Sequence, residues 1–247
     1  MIRTIYQATS AMMAQMARQI TISTNLSNID TPGYRQEVGR VNDFREMLLS
    51  RIAGPDAQLI GRISTAVRLD QPEIDGSQGA LVETGRPLDL AITGTAFFTI
   101  QTPQGLSYTR DGRFRLDEDR RLVTTDGYPV LGEAGPLTIP PGDVWVEPDG
   151  TVRVGEQVVG RLLLTEFPPE AQLRLTGLNQ YSSDTAGVPS VTAGVSQGFL
   201  EQSNVDITKA LTDMLAANRS YALAQRALQL ADDSLRLAVN EIGKISA

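Results

Sequence analysis

The chain predicts an α+β protein in which long N- and C-terminal helices pair as an antiparallel coiled-coil domain and the middle forms a mostly antiparallel β-domain. Three observations carry this: the placement of the helix breakers, an apolar seam repeated over six heptads near the C-terminus, and turn dipeptides recurring through the centre. Of the 22 glycines only Gly33 and Gly243 lie outside positions 34–206, and of the 13 prolines only Pro32 does. Relative to Ala, Gly costs a helix about 1 kcal/mol and Pro about 3, so their exclusion from both ends marks two long helices.

The C-terminal helix has the most regular pattern. Large side chains recur every seven residues at Ile207, Met214, Tyr221, Leu228, Leu235 and Ile242, and three residues after each comes Ala210, Ala217, Ala224, Ala231, Ala238 or Ile245. This is an a/d seam with one bulky and one small register, which lets a partner helix approach closely. At about 1.5 Å per residue it is a rod of roughly 57 Å. The N-terminal helix carries a weaker stripe, Ile2, Ile5, Thr9, Met12, Met16, Gln19, Ser23 and Leu26, and stops before Thr31-Pro32-Gly33, where helical geometry is disfavoured. A strict apolar seam needs a cover, and the only other long helix is at the opposite terminus.

Between the helices, residues 35–75 read as an extended connector with a short helix over 41–52. Residues 76–199 read as all-β. Asp111-Gly112, Asp126-Gly127 and Asp149-Gly150 mark tight hairpins between candidate strands at 88–92, 96–101, 106–110, 113–116, 121–125, 144–147, 151–154 and 158–167. The expected division is 1–34 with 200–247 as a discontinuous helical domain, 35–75 as the connector and 76–199 as the β-rich domain. Of Phe97 and Phe98, one is expected in the core and the other partly exposed, and Trp145 is read as half-buried.

Composition removes whole classes of function. With 22 basic against 29 acidic residues and a net charge of −7, the chain lacks the clustered cations that phosphate contacts require, so no nucleic-acid partner is expected. The absence of Cys and His excludes disulfides, thiolate nucleophiles, imidazole bases and most zinc sites. An enzyme would have to work with carboxylate pairs, as glycosidases do, and no motif proposes one. The acidic run Asp117-Glu118-Asp119 lacks the spacing of a calcium loop and reads as a solvated tip. No catalytic, cofactor-binding or metal-binding residue is therefore expected. No membrane span and no cleavable signal are read either.

Three blocks of residues carry a resemblance. Asn25-Leu26-Ser27-Asn28-Ile29-Asp30-Thr31-Pro32-Gly33-Tyr34 resembles the N-terminal signature of the flagellar rod and hook axial proteins. Leu88-Asp89, Gly94, Phe97-Phe98, Tyr108-Thr109-Arg110 and Gly112 resemble that family's central β-domain block, and Ser203-Asn204-Val205 with the following helix resembles its closing motif. The blocks stand in the family's order and span most of the chain. The segments Tyr128-Pro129-Val130-Leu131-Gly132 and Gly135-Pro136-Leu137-Thr138-Ile139-Pro140 look more like the proximal-rod paralogue than the distal one.

The resemblance implies a structural subunit of the bacterial flagellar basal-body rod, assembling with copies of itself and with other rod proteins into a helical tube across the periplasm. It also implies export through the flagellar type III apparatus without a cleaved signal. The residues expected to carry packing and assembly are Ile5, Met12, Met16 and Leu26 with Ile207, Ala210, Met214, Ala217, Tyr221, Ala224, Leu228, Ala231, Leu235, Ala238 and Ile242. Plainer readings stand beside these: an ordinary intramolecular seam for the C-terminal heptads, a helix stop for the Asn25–Tyr34 block, a core strand pair for 88–98, and a coiled-coil adhesin-type module for the whole.

Overall fold

The computed structural model describes residues 2–39, 41–53, 56–69, 72–168, 171, 173–177, 179–190 and 192–245. Helix α1 spans Ile2–Ser27 and helix α2 spans Ile207–Ile245, 39 residues. Neither contains Pro, and the only helical Gly, Gly243, lies in the last turn of α2. After α1 the chain turns through Thr31 and Tyr34, whose N–H groups donate to the Asn28 and Thr31 carbonyls at 3.2 Å each. Gly33 then takes φ +70°, a left-handed conformation costly to any residue with a Cβ.

The molecule divides into two compact units: 1–26, 37–72 and 207–247 in one, 27–36 and 73–206 in the other. The first contains both helices and a long hairpin, Val41–Ala53 paired antiparallel with Asp56–Leu69. The short helix expected over 41–52 is thus a strand. Its single-residue helical propensity yields to a ladder from Val41↔Leu69 to Ala53↔Asp56, a case of pairing overriding local preference.

In the second unit the described strand pairings are antiparallel. A six-stranded sheet runs in the order Leu173–Gly177, Gln180–Ser183, Gly105–Thr109, Phe97–Thr102, Leu164–Glu166, Val188–Pro189. Val144–Val146, Thr151–Val154 and Gln157–Arg161 make a three-stranded sheet, and Gly194–Gln197 pairs with Leu90–Thr93. The core gathers Leu90, Ile92, Phe98, Ile100, Phe114, Leu122, Val130, Ile139, Val152, Leu162 and Leu164. Gly127 and Gly150, at φ +89° and +86°, sit in the tight turns read from their Asp-Gly pairs. Asp111-Gly112 is no hairpin tip: a Cβ on Gly112 would lie 1.6 Å from the Leu90 carbonyl oxygen, so the Gly permits two backbones to touch.

Two aromatic expectations are corrected. Phe97 and Phe98 are both buried, because their strand is covered on both faces. Phe98 meets Phe114 edge-on at 4.9 Å in the core, while Phe97 meets Tyr181 at 5.5 Å and Phe167 at 5.9 Å on the other side. Trp145 is 65% exposed rather than half-buried, since it alternates outward between Val144 and the buried Val146.

Candidate functional site: a buried clasp and two helix faces

The side of the strand that Phe97 faces holds the most heavily charged buried cluster among the described residues. Glu201 ends the strand Phe199–Glu201, paired through Glu201↔Leu81 with Leu81–Glu83. Its Oε2 accepts from Arg110 Nη1 at 2.7 Å and its Oε1 from Arg35 Nη2 at 3.3 Å, with all three side chains at most 2% exposed. Oε1 also accepts the Gly79 N–H at 3.1 Å, and the Glu201 carbonyl accepts the Gly33 N–H at 2.7 Å.

Two guanidiniums share one carboxylate, so the cluster carries an excess positive charge that must be solvated by the protein itself. Arg35 donates to the Gly76 carbonyl, and Arg110 donates to those of Gly94 and Ile92. Both guanidinium carbons lie over the Phe97 ring, at 5.8 and 5.2 Å from its centroid, where the negative π face attracts them. Burial first, then the neighbouring Arg35 charge, pulls Arg110 down to about 10, which leaves it protonated at neutral pH. Burial pushes the Tyr181 hydroxyl up to about 12; its oxygen accepts the Arg35 N–H at 3.1 Å.

Around this cluster the family-block residues converge. Tyr34, Asp89, Thr109 and Arg110 are almost wholly buried. Thr109 donates to the Asn179 carbonyl at 3.0 Å, and Asn179 Nδ2 donates to Pro32 O at 2.7 Å. Asn204 Oδ1 accepts the Gln36 N–H at 2.7 Å while its Nδ2 reaches Ser77 O and Oγ at 3.0 Å. A Cβ on Gly33 would lie 2.3 Å from the Arg110 carbonyl carbon, so that position must be Gly twice over, for its φ and for the contact. Asp89 Oδ2 accepts from Thr84 Oγ1 at 2.8 Å, and Val205 is buried. Leu88 packs against the core, Gly94 sits at an exposed turn, and Tyr108 meets Phe167 at 4.7 Å. In the other unit, the Asn25 side-chain amide exchanges two hydrogen bonds with the Glu37 backbone, at 2.8 and 2.9 Å. Asn28 accepts from Thr31 Oγ1 at 3.2 Å, and Leu26 and Ser203 are half-buried.

Arg35, Tyr181, Asn179 and Glu201 were not among the residues singled out from sequence. Only Glu201 leaves a signal, a lone charge at the end of the apolar run Gly198-Phe199-Leu200-Glu201; Arg35, Asn179 and Tyr181 leave none. The cluster fastens residues 33–36, 76–79, 110 and 201–204 to one another. Among the described residues no group of acidic side chains could hold a metal ion, and no helix is long and apolar enough to cross a membrane.

The helices present a second feature. Along α2 the less exposed positions are Ala210, Asp213, Met214, Ala217, Tyr221, Ala224, Leu228, Ala231, Leu235 and Ala238, with Ala210 and Ala217 fully buried. Ile207 is 52% exposed, and the Ile242 side chain lies outside the described residues. On α1 the buried positions are Ala8, Ala14, Thr21, Ile22 and Asn25. Ile5, Met12 and Leu26 are only half-buried, and Met16 is 57% exposed. The α1 stripe is therefore rotated one residue from the expected one, toward small side chains. Arg18 pairs with Asp213 at 3.2 Å and Gln19 Nε2 donates to Asn218 Oδ1 at 3.0 Å, joining the helices.

Comparison with known families agrees with these blocks. Residues 5–35 match the flagella basal body rod protein model, 91–154 the flagellar hook protein FlgE/F/G D1 domain, and 196–241 the flagellar basal body rod FlgEFG protein C-terminal model. The flagellar hook-basal body complex protein FlhO of Bacillus subtilis (strain 168) is 33% identical over 99% of this chain and all of its own length. The flagellar basal-body rod protein FlgF of Mesorhizobium japonicum is 31% identical, covering 94% of this chain and 96% of its own. FlgG of Buchnera aphidicola subsp. Schizaphis graminum is 31% identical, covering 96% and 98%.

Proposed function

We propose, for a chain that belongs to the flagellar basal-body rod protein family, that its terminal helices pair as an antiparallel coiled coil and polymerise it into the shaft crossing the periplasm. The chain is a structural subunit, not an enzyme. One observation carries the proposal: from Ala210 to Ala238 the less exposed positions of α2 recur at three- and four-residue intervals, while α1 reaches the start of that seam through Arg18. Arg18 lies in the second half of α1 and Asp213 in the second turn of α2, which supports opposite directions for the two helices. The Ala register brings the backbones close, and removing its methyl groups from water adds roughly 0.8 kcal/mol per buried carbon.

Within this reading, the partners are copies of the chain, other rod proteins and the type III export apparatus, which passes it without a cleaved signal. Residues 76–199 form the β-rich body, and the terminal helices form the assembly domain. The Tyr128–Gly132 and Gly135–Pro140 segments favour the proximal rod. Deleting the gene and imaging basal bodies tests the function. Growth is expected to stop within the rod with motility lost; complete rods and swimming cells would overturn the proposal.

A further inference from the structure

Residues 143–147 read Asp-Val-Trp-Val-Glu, three strand-forming apolar residues between two charges. The strand Val144–Val146 is paired on one side only, with Thr151–Val154. The Asp143 carbonyl and the Glu147 N–H bond to Gly155 and Thr151, so the backbone groups of Val144 and Val146 point to the opposite edge. The neighbour there is Gly194–Gln197. Among the described residues a single backbone hydrogen bond joins the two strands, from the Val195 N–H to the Pro148 carbonyl at 2.9 Å. Beyond it a cleft of about 630 Å³ opens, lined by Pro87, Trp145, Val146, Ser196 and Phe199 among others. The Gln197 side chain bridges the gap. Its Oε1 accepts the Val146 N–H at 3.1 Å, and its Nε2 donates to the Val144 carbonyl at 2.9 Å and to that of Pro87 at 2.8 Å. Both amide hydrogens and the oxygen are thus engaged.

A strand running beside Trp145 would make the same pair of bonds, giving an N–H to the carbonyl of Val144 and a carbonyl to the N–H of Val146. The Gln197 amide stands where that strand's peptide groups would be. We infer that Gln197 is an edge guard: it occupies the outward hydrogen-bonding groups of Val144 and Val146, and without it this edge recruits an extended segment from a second copy of the chain. An open edge is a template for strand addition, and the uncharged Val-Trp-Val triplet has the β-branched and aromatic character that such addition favours. Of the two flanking charges, Glu147 is already engaged by Arg153 Nε at 3.1 Å. The main chain of Gly194–Gln197 is committed on its far side to Leu90–Thr93, so its last side chain does what its backbone does not. Losing that side chain enlarges a cleft that already lies along the strand, and an incoming backbone then meets space as well as a free N–H and carbonyl. The guarded edge belongs to the β-rich unit and owes nothing to the terminal helices.

Trp145 is the chain's single Trp and is 65% exposed, so its emission reports on this edge directly. Full-length Gln197→Ala is compared with the wild type and with Gln101→Ala, an exposed glutamine on another strand, by sedimentation velocity and tryptophan fluorescence over a concentration series. The expected result is association of Gln197→Ala at a concentration roughly tenfold below that of the wild type, with emission moving to the blue as Trp145 leaves water, while Gln101→Ala follows the wild type. A Gln197→Ala protein that is folded by circular dichroism and associates no sooner than the wild type overturns the guard. Association without the emission shift overturns it as well, because the new contact then lies elsewhere. Should Gln197→Ala fail to fold, exchange of the Val146 amide hydrogen in the wild-type protein decides: slowing by about a hundredfold is expected, and exchange at the rate of an open strand overturns the guard.

Discussion

Replacing Glu201 with Ala removes the only carboxylate from a cluster of two buried cations. The side chain accepts three hydrogen bonds, from Arg110 at 2.7 Å, Arg35 at 3.3 Å and Gly79 N–H at 3.1 Å. Arg35 and Arg110 are 2% and 0% exposed along their side chains, so water cannot take the place of the carboxylate without opening the domain. Breaking a buried ion pair from one side costs about 3–5 kcal/mol, because the remaining charge stays desolvated. Here two like charges remain beside the Phe97 ring and repel, which places the expected loss at the upper part of that range. Glu133→Ala serves as control: its Arg161 partner lies 3.4 Å away on the surface, and such a pair contributes about 0–1 kcal/mol. Urea unfolding followed by circular dichroism, below the concentration of self-association, compares the two. A Glu201→Ala cost within about 1 kcal/mol of the control would refute the buried-charge argument.

Gly33→Ala and Gly85→Ala separate strain from contact, since both glycines have nearly the same φ, +70° and +69°, but only Gly33 has backbone against it. Both lose about 1 kcal/mol for the left-handed backbone, and Gly33→Ala loses a further ~1–3 from overpacking; equal losses in denaturation would contradict the Arg110 contact. Tyr181 has a folded-state pKa of about 12 against 10.0 unperturbed, so its contribution to stability is complete below pH 10 and is lost as pH rises through 12. Ultraviolet titration should show a late-ionising tyrosine component that Tyr181→Phe reduces by one residue; a wild-type protein whose tyrosines all titrate together near 10 would contradict it. Ala217→Leu should disrupt the buried face of α2 by about 1–3 kcal/mol, whereas Met16→Ala on an exposed face stays within ~0.5. Thermal melting of the helical signal ranks the two, and the reverse order would return Met16 to the seam.

What the sequence made legible follows from how one-sided each segment is. On α2 the inner seam stands out because bulky and Ala registers repeat without interruption from Ala210 to Ala238. On α1 large apolar residues occupy several faces, with Tyr6, Met13, Met16 and Ile20 all exposed, so size misdirects the reading and the buried face belongs to Ala8, Ala14 and Ile22. The strands at 97–102, 105–109 and 144–154 were readable from their turn residues, whereas the hairpin over 41–69 has none of that punctuation until its tip and read as a connector. The charged cluster was only half visible. Arg110 belonged to a recognisable block, but Arg35 and Glu201 are single charges whose burial depends on partners 91 to 166 residues away. Local pattern cannot report such pairings; only closure of the fold creates them.

The position of Glu201 along the chain gives the cluster a role in timing. A polypeptide emerging from its N-terminus first exposes Arg35, then Arg110, and holds both cations without their counterion until nearly everything except α2 has been made. Until then the domain has a reason to stay open, because sealing two bare guanidiniums in a dry interior is unfavourable. The final strand thus works as a completeness check, and a truncated product that stops short of it should remain a substrate for proteases rather than persist as a folded body.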